Sequence, residues 1–153
     1  MAARIEILTV GALHRDFEPA ARHYIDLLRP YASVTVREVK ETPLRGRSAA
    51  EVLRDEGRRL LSELPRGVVV ALDAAGRGYD SEAFAAWLQR GLERGGAAFV
   101  VGGSLGLAPE VLERAGERLS LSSLTLPHQL ARVVLLEQVF RAAKIMRGEP
   151  YHH

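Results

Sequence analysis

The chain has 153 residues and 16.8 kDa, enough for one packed domain and short for two, so a single domain over 1–153 is expected. Its residues are 47% hydrophobic and 26% charged, which excludes disorder and low-complexity scaffolds, and it has no cysteine, which excludes disulfides, thiolate metal sites and a cysteine nucleophile. A net charge of +2 does not by itself announce nucleic-acid binding, even though 19 of the 21 basic residues are arginine, so only local clustering of arginines can point to it.

IEILTV at 5–10 reads as the first strand. A helix follows over 18–28, then a strand from VTV at 34–36 to Val39. Helix 48–64 starts on Ser48 with Glu51 three residues later, the pattern of a capping box. GVVVALD at 67–73 is a strand, helix 81–94 starts behind Asp80, and AAFVVGG at 97–103 is a strand. VVVAL and AAFVV are apolar without alternation, as in strands covered on both faces, so the fold class is α/β with a parallel-rich sheet flanked by helices. A helix with Pro109 in its first turn and a short strand at 118–121 follow.

A long last helix is expected over 128–147, begun after Pro127 and stopped by Gly148 and Pro150. Leu135, Val139, Ala142, Ala143 and Met146 form one apolar stripe, while Leu130, Val134 and Ile145 lie on another face. A helix apolar on more than one side is covered on more than one side, and in a small protein that implies a homodimer. The first 19 residues lack the apolar region and cleavage site of a signal peptide, and the apolar runs at 68–72 and 97–101 are far below membrane-spanning length. A cytoplasmic protein without a membrane role is the expectation.

Three loops have the character of a binding site. Gly102-Gly103-Ser104-Leu105-Gly106 lies between a strand and a helix. It matches the G-x-S-x-G elbow of serine hydrolases, with Ser104 as nucleophile and His128 downstream, but the chain is short for that fold and has no upstream oxyanion loop. The same turn also suits close approach of backbone to a ligand at the carboxyl end of a strand. LDAAGRGYDSEAFA, with Leu72 and Asp73 at a strand end, is the second loop, and the hydroxyl-rich LSSLTLPH at 121–128 the third. Apolar side chains and backbone donors at three strand ends suit a flat heterocycle better than a phosphate or a metal, and no metal ligand spacing is present. Along the last helix, His128, Arg132, Arg141, Lys144 and Arg147 precede Tyr151, His152 and His153. Tyr151 beside such arginines suits stacking on a base while arginines such as Arg141 hold phosphates. A second basic segment runs from Lys40 to Arg59, where a charged helix face competes with RNA contact.

From Val10-Gly11 near the N-terminus to the closing PYH, and most specifically in LDAAGRGYDSEAFA, VGGSLGL, LSSLTLPHQLARVVLLEQVFRA and RGEPYHH, which occur in this order over residues 72–153, the chain resembles the RlmH family of ribosomal RNA large-subunit methyltransferases, within the SPOUT class. The resemblance implies an α/β fold with a C-terminal trefoil knot, a homodimer, and methylation by S-adenosylmethionine of the imide nitrogen N3 of a pseudouridine in 23S ribosomal RNA, without a metal. It implies that Leu72, Asp73, Gly103, Ser122, Ser123, Leu124, Thr125, Leu126 and Pro127 hold the cofactor. His128, Arg132, Tyr151 and His152 match positions expected near the target nucleotide. Ser104-Leu105 stands where family members carry Pro-Glu. In the mechanism this suggests, His152 or Tyr151 positions the base that takes the imide proton, and Arg132 holds a phosphate or the imide oxygen. The small surface implies that the assembled ribosome supplies part of the recognition. A ribosome-binding factor on a degenerate methyltransferase fold is the non-enzymatic alternative.

Overall fold

The computed structural model describes residues 3–151. Strands and helices alternate in the order β1 (Ala3–Val10), α1 (Glu18–Leu28), β2 (Ala32–Val39), α2 (Ala49–Glu63), β3 (Val69–Gly78), α3 (Ser81–Glu93), β4 (Ala97–Val101), α4 (Pro109–Ala115), β5 (Gly116–Ser120) and α5 (His128–Met146). All five strands are parallel in one sheet of order β2-β1-β4-β3-β5. β4 is buried at every position, which explains the unbroken apolar run of AAFVV. The edge strand β5 buries only Leu119.

Side-chain alternation along the strands builds two cores. Ile5, Ile7, Val70, Phe99 and Val101 face α1, α3 and α5, whereas Leu8, Val10, Val69, Ala71, Ala98 and Val100 face α2 and α4. The caps form as the sequence indicates. Ser48 Oγ accepts the Glu51 N–H at 3.2 Å and donates to its carboxylate, and Asp80 accepts the Ala83 N–H at 2.8 Å.

Element boundaries differ from the sequence reading in several places, as where β1 and β2 each begin two residues early, and three of the differences bear on the site. β3 continues past Asp73, because residues 73–76 bulge out between two pairings of the same partner, Leu72 and Arg77 both lying opposite Leu119. Gly76 permits the bulge: a Cβ there would stand 2.7 Å from the Arg118 carbonyl carbon. β4 stops at Val101, since Gly102 and Gly103 turn away, and β5 begins at Gly116, two residues before the expected start.

α5 lies against α1 and α3. Leu135, Val139, Ala142 and Ala143 are buried, and Val133, Leu136 and Phe140 are buried with them. Ile145 joins the same core as Met146, so the second apolar face narrows to Val134, half-buried, and Leu130, 36% exposed. No helix among the described residues is long and apolar enough to cross a membrane.

Candidate functional site

The carboxyl ends of β3, β4 and β5 open into a cavity of about 380 Å³, within the size range of small-molecule sites. The three loops singled out in the sequence form its walls. Leu72 and Asp73 come from β3, Gly102, Gly103, Ser104 and Gly106 from the turn after β4, and Ser122, Leu124, Thr125, Leu126, Pro127 and His128 from the segment leading into α5. Of the expected cofactor residues, Ser123 lies in the same loop but outside the lining.

Each wall is fixed locally. The Gly106 N–H donates to the Gly103 carbonyl at 3.1 Å, closing the glycine turn. A Cβ on Gly102 would stand 2.3 Å from the Gly106 carbonyl oxygen, so only glycine permits the backbone contact. Asp73 Oδ1 accepts the Ala75 N–H at 3.2 Å and its other oxygen faces Arg118 at 3.8 Å. In the third loop the Ser120 hydroxyl donates to the Ser122 carbonyl at 3.0 Å, and Ser122 Oγ accepts the Leu124 N–H at 2.9 Å. Leu124 itself is 78% exposed, an apolar side chain presented at the cavity. Aliphatic side chains, hydroxyls and glycine backbone suit a flat heterocycle carrying polar edges. Among the described residues no cluster of three or more His, Asp or Glu is placed to hold a metal.

The residues expected near the nucleotide divide into separate groups. His128 lines the cavity. Arg132, one turn further, is 5% exposed and donates to the Gly11 carbonyl at 3.0 Å and to Glu38 at 2.8 Å, so it ties the β1–α1 connection to α5. Gln129, unmarked in the sequence reading, does the same: its carbonyl accepts the His14 N–H at 2.7 Å and its amide donates to the Ala12 carbonyl at 3.1 Å. Arg141 bonds Glu137 and lies 4.2 Å over the Tyr151 ring. The Tyr151 hydroxyl donates to Glu137 at 3.0 Å, and its ring packs on Phe140. Burial first, and the Glu137 carboxylate second, push the Tyr151 phenol up. Tyr151 therefore favours the protonated, donating form.

Glu137 and Arg141 are nine and thirteen residues beyond His128, roughly 14 and 20 Å along the helix at its standard rise. The structure thus joins Arg141 to Tyr151 and holds both away from His128 of the same chain. The tail is anchored by a second cluster. The Tyr31 hydroxyl donates to Glu149 at 2.8 Å, Lys144 bonds the same carboxylate at 2.9 Å, and Arg147 lies over the Tyr31 ring. His152 lies outside the described residues.

Sequence reasoning also passed over Glu56, a carboxylate only 4% exposed, which accepts the Thr42 N–H at 3.0 Å. Burial pushes its carboxyl above the ordinary range. The available signal was Gly57 beside it, a glycine in mid-helix that costs helix stability and so marks a close approach. A Cβ on Gly57 would meet Ala108 Cβ at 3.0 Å.

Residues 3–152 match the family model "Predicted SPOUT methyltransferase". The chain belongs to the SPOUT methyltransferase family. Within the family it is 51% identical to Ribosomal RNA large subunit methyltransferase H of Rubrobacter xylanophilus, over 99% of both chains. It is 47% identical to the protein of the same name from Gemmatimonas aurantiaca, over 97% of this chain and 99% of that one. Among solved structures, a "Probable Methyltransferase" from Bordetella pertussis shares the fold, with a TM-score of 0.60 at 16% identity over 92% of this chain and 95% of that chain. A Legionella pneumophila structure with the bound cofactor SAM has a TM-score of 0.55 at 12% identity, over 92% of this chain and 66% of that chain. The parallel five-stranded sheet flanked by helices is thus a SPOUT methyltransferase fold.

Proposed function

We propose that the chain is a single-domain, S-adenosylmethionine-dependent methyltransferase that forms N3-methylpseudouridine in 23S ribosomal RNA, working in the cytoplasm as a knotted homodimer on assembled ribosomes. The observation that carries this reading is the convergence of three loops on one cavity in a chain 51% identical, end to end, to a Ribosomal RNA large subunit methyltransferase H.

The glycine turn and the 121–128 loop offer backbone and hydroxyl groups to the cofactor, while Leu72 and Leu126 offer apolar faces. Bound there, S-adenosylmethionine supplies an activated methyl group on its sulfonium. What remains for the chain is alignment and the management of one imide proton. His128 stands at the cavity for the target base. Tyr151 and Arg141 lie far along α5 from the His128 of their own chain, which supports a homodimer whose tails, carrying Tyr151 and His152, reach the partner's cavity. There the tail positions the group that takes the imide proton, and Arg141 and the basic loop after β2 meet phosphates. In this arrangement Arg132 serves by ordering the β1–α1 connection beside the base.

The deciding experiment is transfer of labelled methyl groups from S-adenosylmethionine to unmodified ribosomes, assembled and disassembled, followed by mapping of the modified base. Methylation of one pseudouridine in assembled ribosomes is expected. Equal activity on an isolated stem-loop overturns the requirement for assembly, and RNA binding without cofactor binding returns the reading to a ribosome-binding factor. The serine-hydrolase alternative predicts labelling of Ser104 by an active-site phosphonate, and the methyltransferase reading predicts none.

A further inference from the structure

We propose that Glu56 is a positioning residue of the cavity: its buried carboxylate backs the glycine turn and gives that wall a negative charge, which favours a cationic ligand, the sulfonium methyl donor, over the neutral thioether product. The proposal rests on the cofactor assignment made above.

Glu56 reaches the wall because α2 packs closely on its neighbours. Gly57 brings the helix against Ala108, just ahead of α4. One carboxylate oxygen, Oε2, accepts the Thr42 N–H and fixes the side chain. The other, Oε1, points at the glycine turn: a Cβ added to Gly103 would stand 3.6 Å from it and 3.3 Å from Val10 Cγ1. Gly103 itself lines the cavity. A ligand atom in contact there lies one carbon contact further on, about 8 Å from the carboxylate.

The groups that face Glu56 do not neutralise it within hydrogen-bond contact. Thr42 presents a backbone N–H, and Glu41 carries the same charge. Arg59, one turn along α2, donates to the Lys40 carbonyl at 2.9 Å and to the Thr42 hydroxyl. His128, which stands within electrostatic reach of Glu56, belongs to the cavity itself. The charge of Glu56 therefore acts on what the cavity holds. Burial raises its carboxyl, so the native state holds this proton more tightly than the unfolded chain does. The associated stability is complete below about 4.5, the ordinary carboxylate value, and is lost as pH rises through the raised value. A side chain kept at that cost is explained by what it does for a ligand.

Calorimetry on the full-length protein and its Glu56→Gln variant, in mildly alkaline buffer, measures affinities for S-adenosylmethionine and S-adenosylhomocysteine, with thermal unfolding alongside. Glutamine keeps the acceptor for Thr42 and removes the charge. The expected result is a loss of about fivefold for S-adenosylmethionine, the size of one charge–charge interaction over this distance in a partly solvated site, and less than about twofold for S-adenosylhomocysteine. The melting temperature is expected to stay level or rise. Equal weakening of both ligands, or no change in either, overturns the proposal, because a merely structural role does not distinguish the two. Glu56→Asp, which restores the charge on a shorter arm, is expected to recover part of the selectivity, and no recovery counts against the charge. Failure of the unsubstituted protein to bind S-adenosylmethionine refutes instead the cofactor reading on which the proposal stands.

Discussion

Replacing Gly102 by alanine tests whether the glycine turn is built by contact distance rather than by flexibility. The added Cβ would stand 2.3 Å from the Gly106 carbonyl oxygen, 2.5 Å from its carbon and 3.1 Å from its Cα. Carbon–oxygen contacts settle near about 3.3 Å, so two backbone segments must part by about 1 Å. That movement overpacks a tight site, at about 1–3 kcal/mol, and breaks the Gly106 N–H to Gly103 carbonyl bond, at about 1 kcal/mol. A total of about 2–4 kcal/mol corresponds to a fall of roughly 5–15 °C in melting temperature for a chain of this size. Two neighbours serve as controls. Gly106→Ala meets nothing within 4 Å but takes a φ of +83°, a strain of about 1 kcal/mol. Gly103→Ala meets only side chains, Val10 Cγ1 at 3.3 Å and Glu56 Oε1 at 3.6 Å, which need give by a few tenths of an ångström, and costs about 1 kcal/mol. The assay is thermal unfolding with and without S-adenosylmethionine, where ligand binding raises the melting temperature by linkage. Gly102→Ala is expected to melt lowest and to lose the ligand-dependent rise. A variant that melts like the unsubstituted protein and keeps the rise, or a Gly103→Ala more damaged than Gly102→Ala, refutes the reasoning.

Arg132→Ala removes a buried side chain and strips the half-buried Gly11 carbonyl and Glu38 of its two bonds, and is expected to cost about 2–3 kcal/mol in urea unfolding. Glu38→Gln, at a more exposed partner, costs under about 1 kcal/mol in the same measurement. Tyr151→Phe keeps the ring on Phe140 and under Arg141 but loses the bond to Glu137. It is expected to lower stability by about 1 kcal/mol and, on the proposed mechanism, to slow methyl transfer to ribosomes. The tail anchor is pH-dependent at both ends. Bonds from Lys144 and the Tyr31 hydroxyl hold the Glu149 carboxyl below its ordinary value, so its contribution is present above that value and lost as pH falls through the lowered one. Lys144 is raised by the same contacts, so its contribution is lost only as pH rises through a value above 10.5. Trypsin cleavage after Arg147 is therefore expected to be slow in unsubstituted protein and faster in Glu149→Gln at neutral pH, with equal rates counting against the anchor.

Much of the fold was legible because its signals are local. Ser48 with Glu51 and Asp80 with Ala83 cap helices through bonds only three residues long, so the sequence alone contains both partners. The continuous apolar runs of β3 and β4 point to burial on both faces and so favour a parallel sheet before any pairing is known, and Val69, Val70, Ala71 and all of β4 are buried. The cavity was legible in composition: three loops of glycine, hydroxyl and aliphatic residues at strand ends.

Positions that depend on distant partners were not legible. Arg132 reads as a basic residue one turn from His128, yet it is buried, because Glu38 and the Gly11 carbonyl come to it from the ends of β2 and β1. Tyr151 reads as a neighbour of a histidine tail, and the fold seats it instead on Phe140 and Glu137 in the middle of α5. Glu56 reads as one charge on a charged helix. Only the packing of α2 beside the glycine turn, made possible by Gly57, turns it into a buried carboxylate behind the cavity wall. The sequence by itself determined which segments form strands, helices and binding loops, since those choices follow from neighbours within a few residues. The tertiary structure decided which polar side chains face the cavity and which hold the scaffold, because desolvation and pairing are set by groups up to 121 residues apart in the chain.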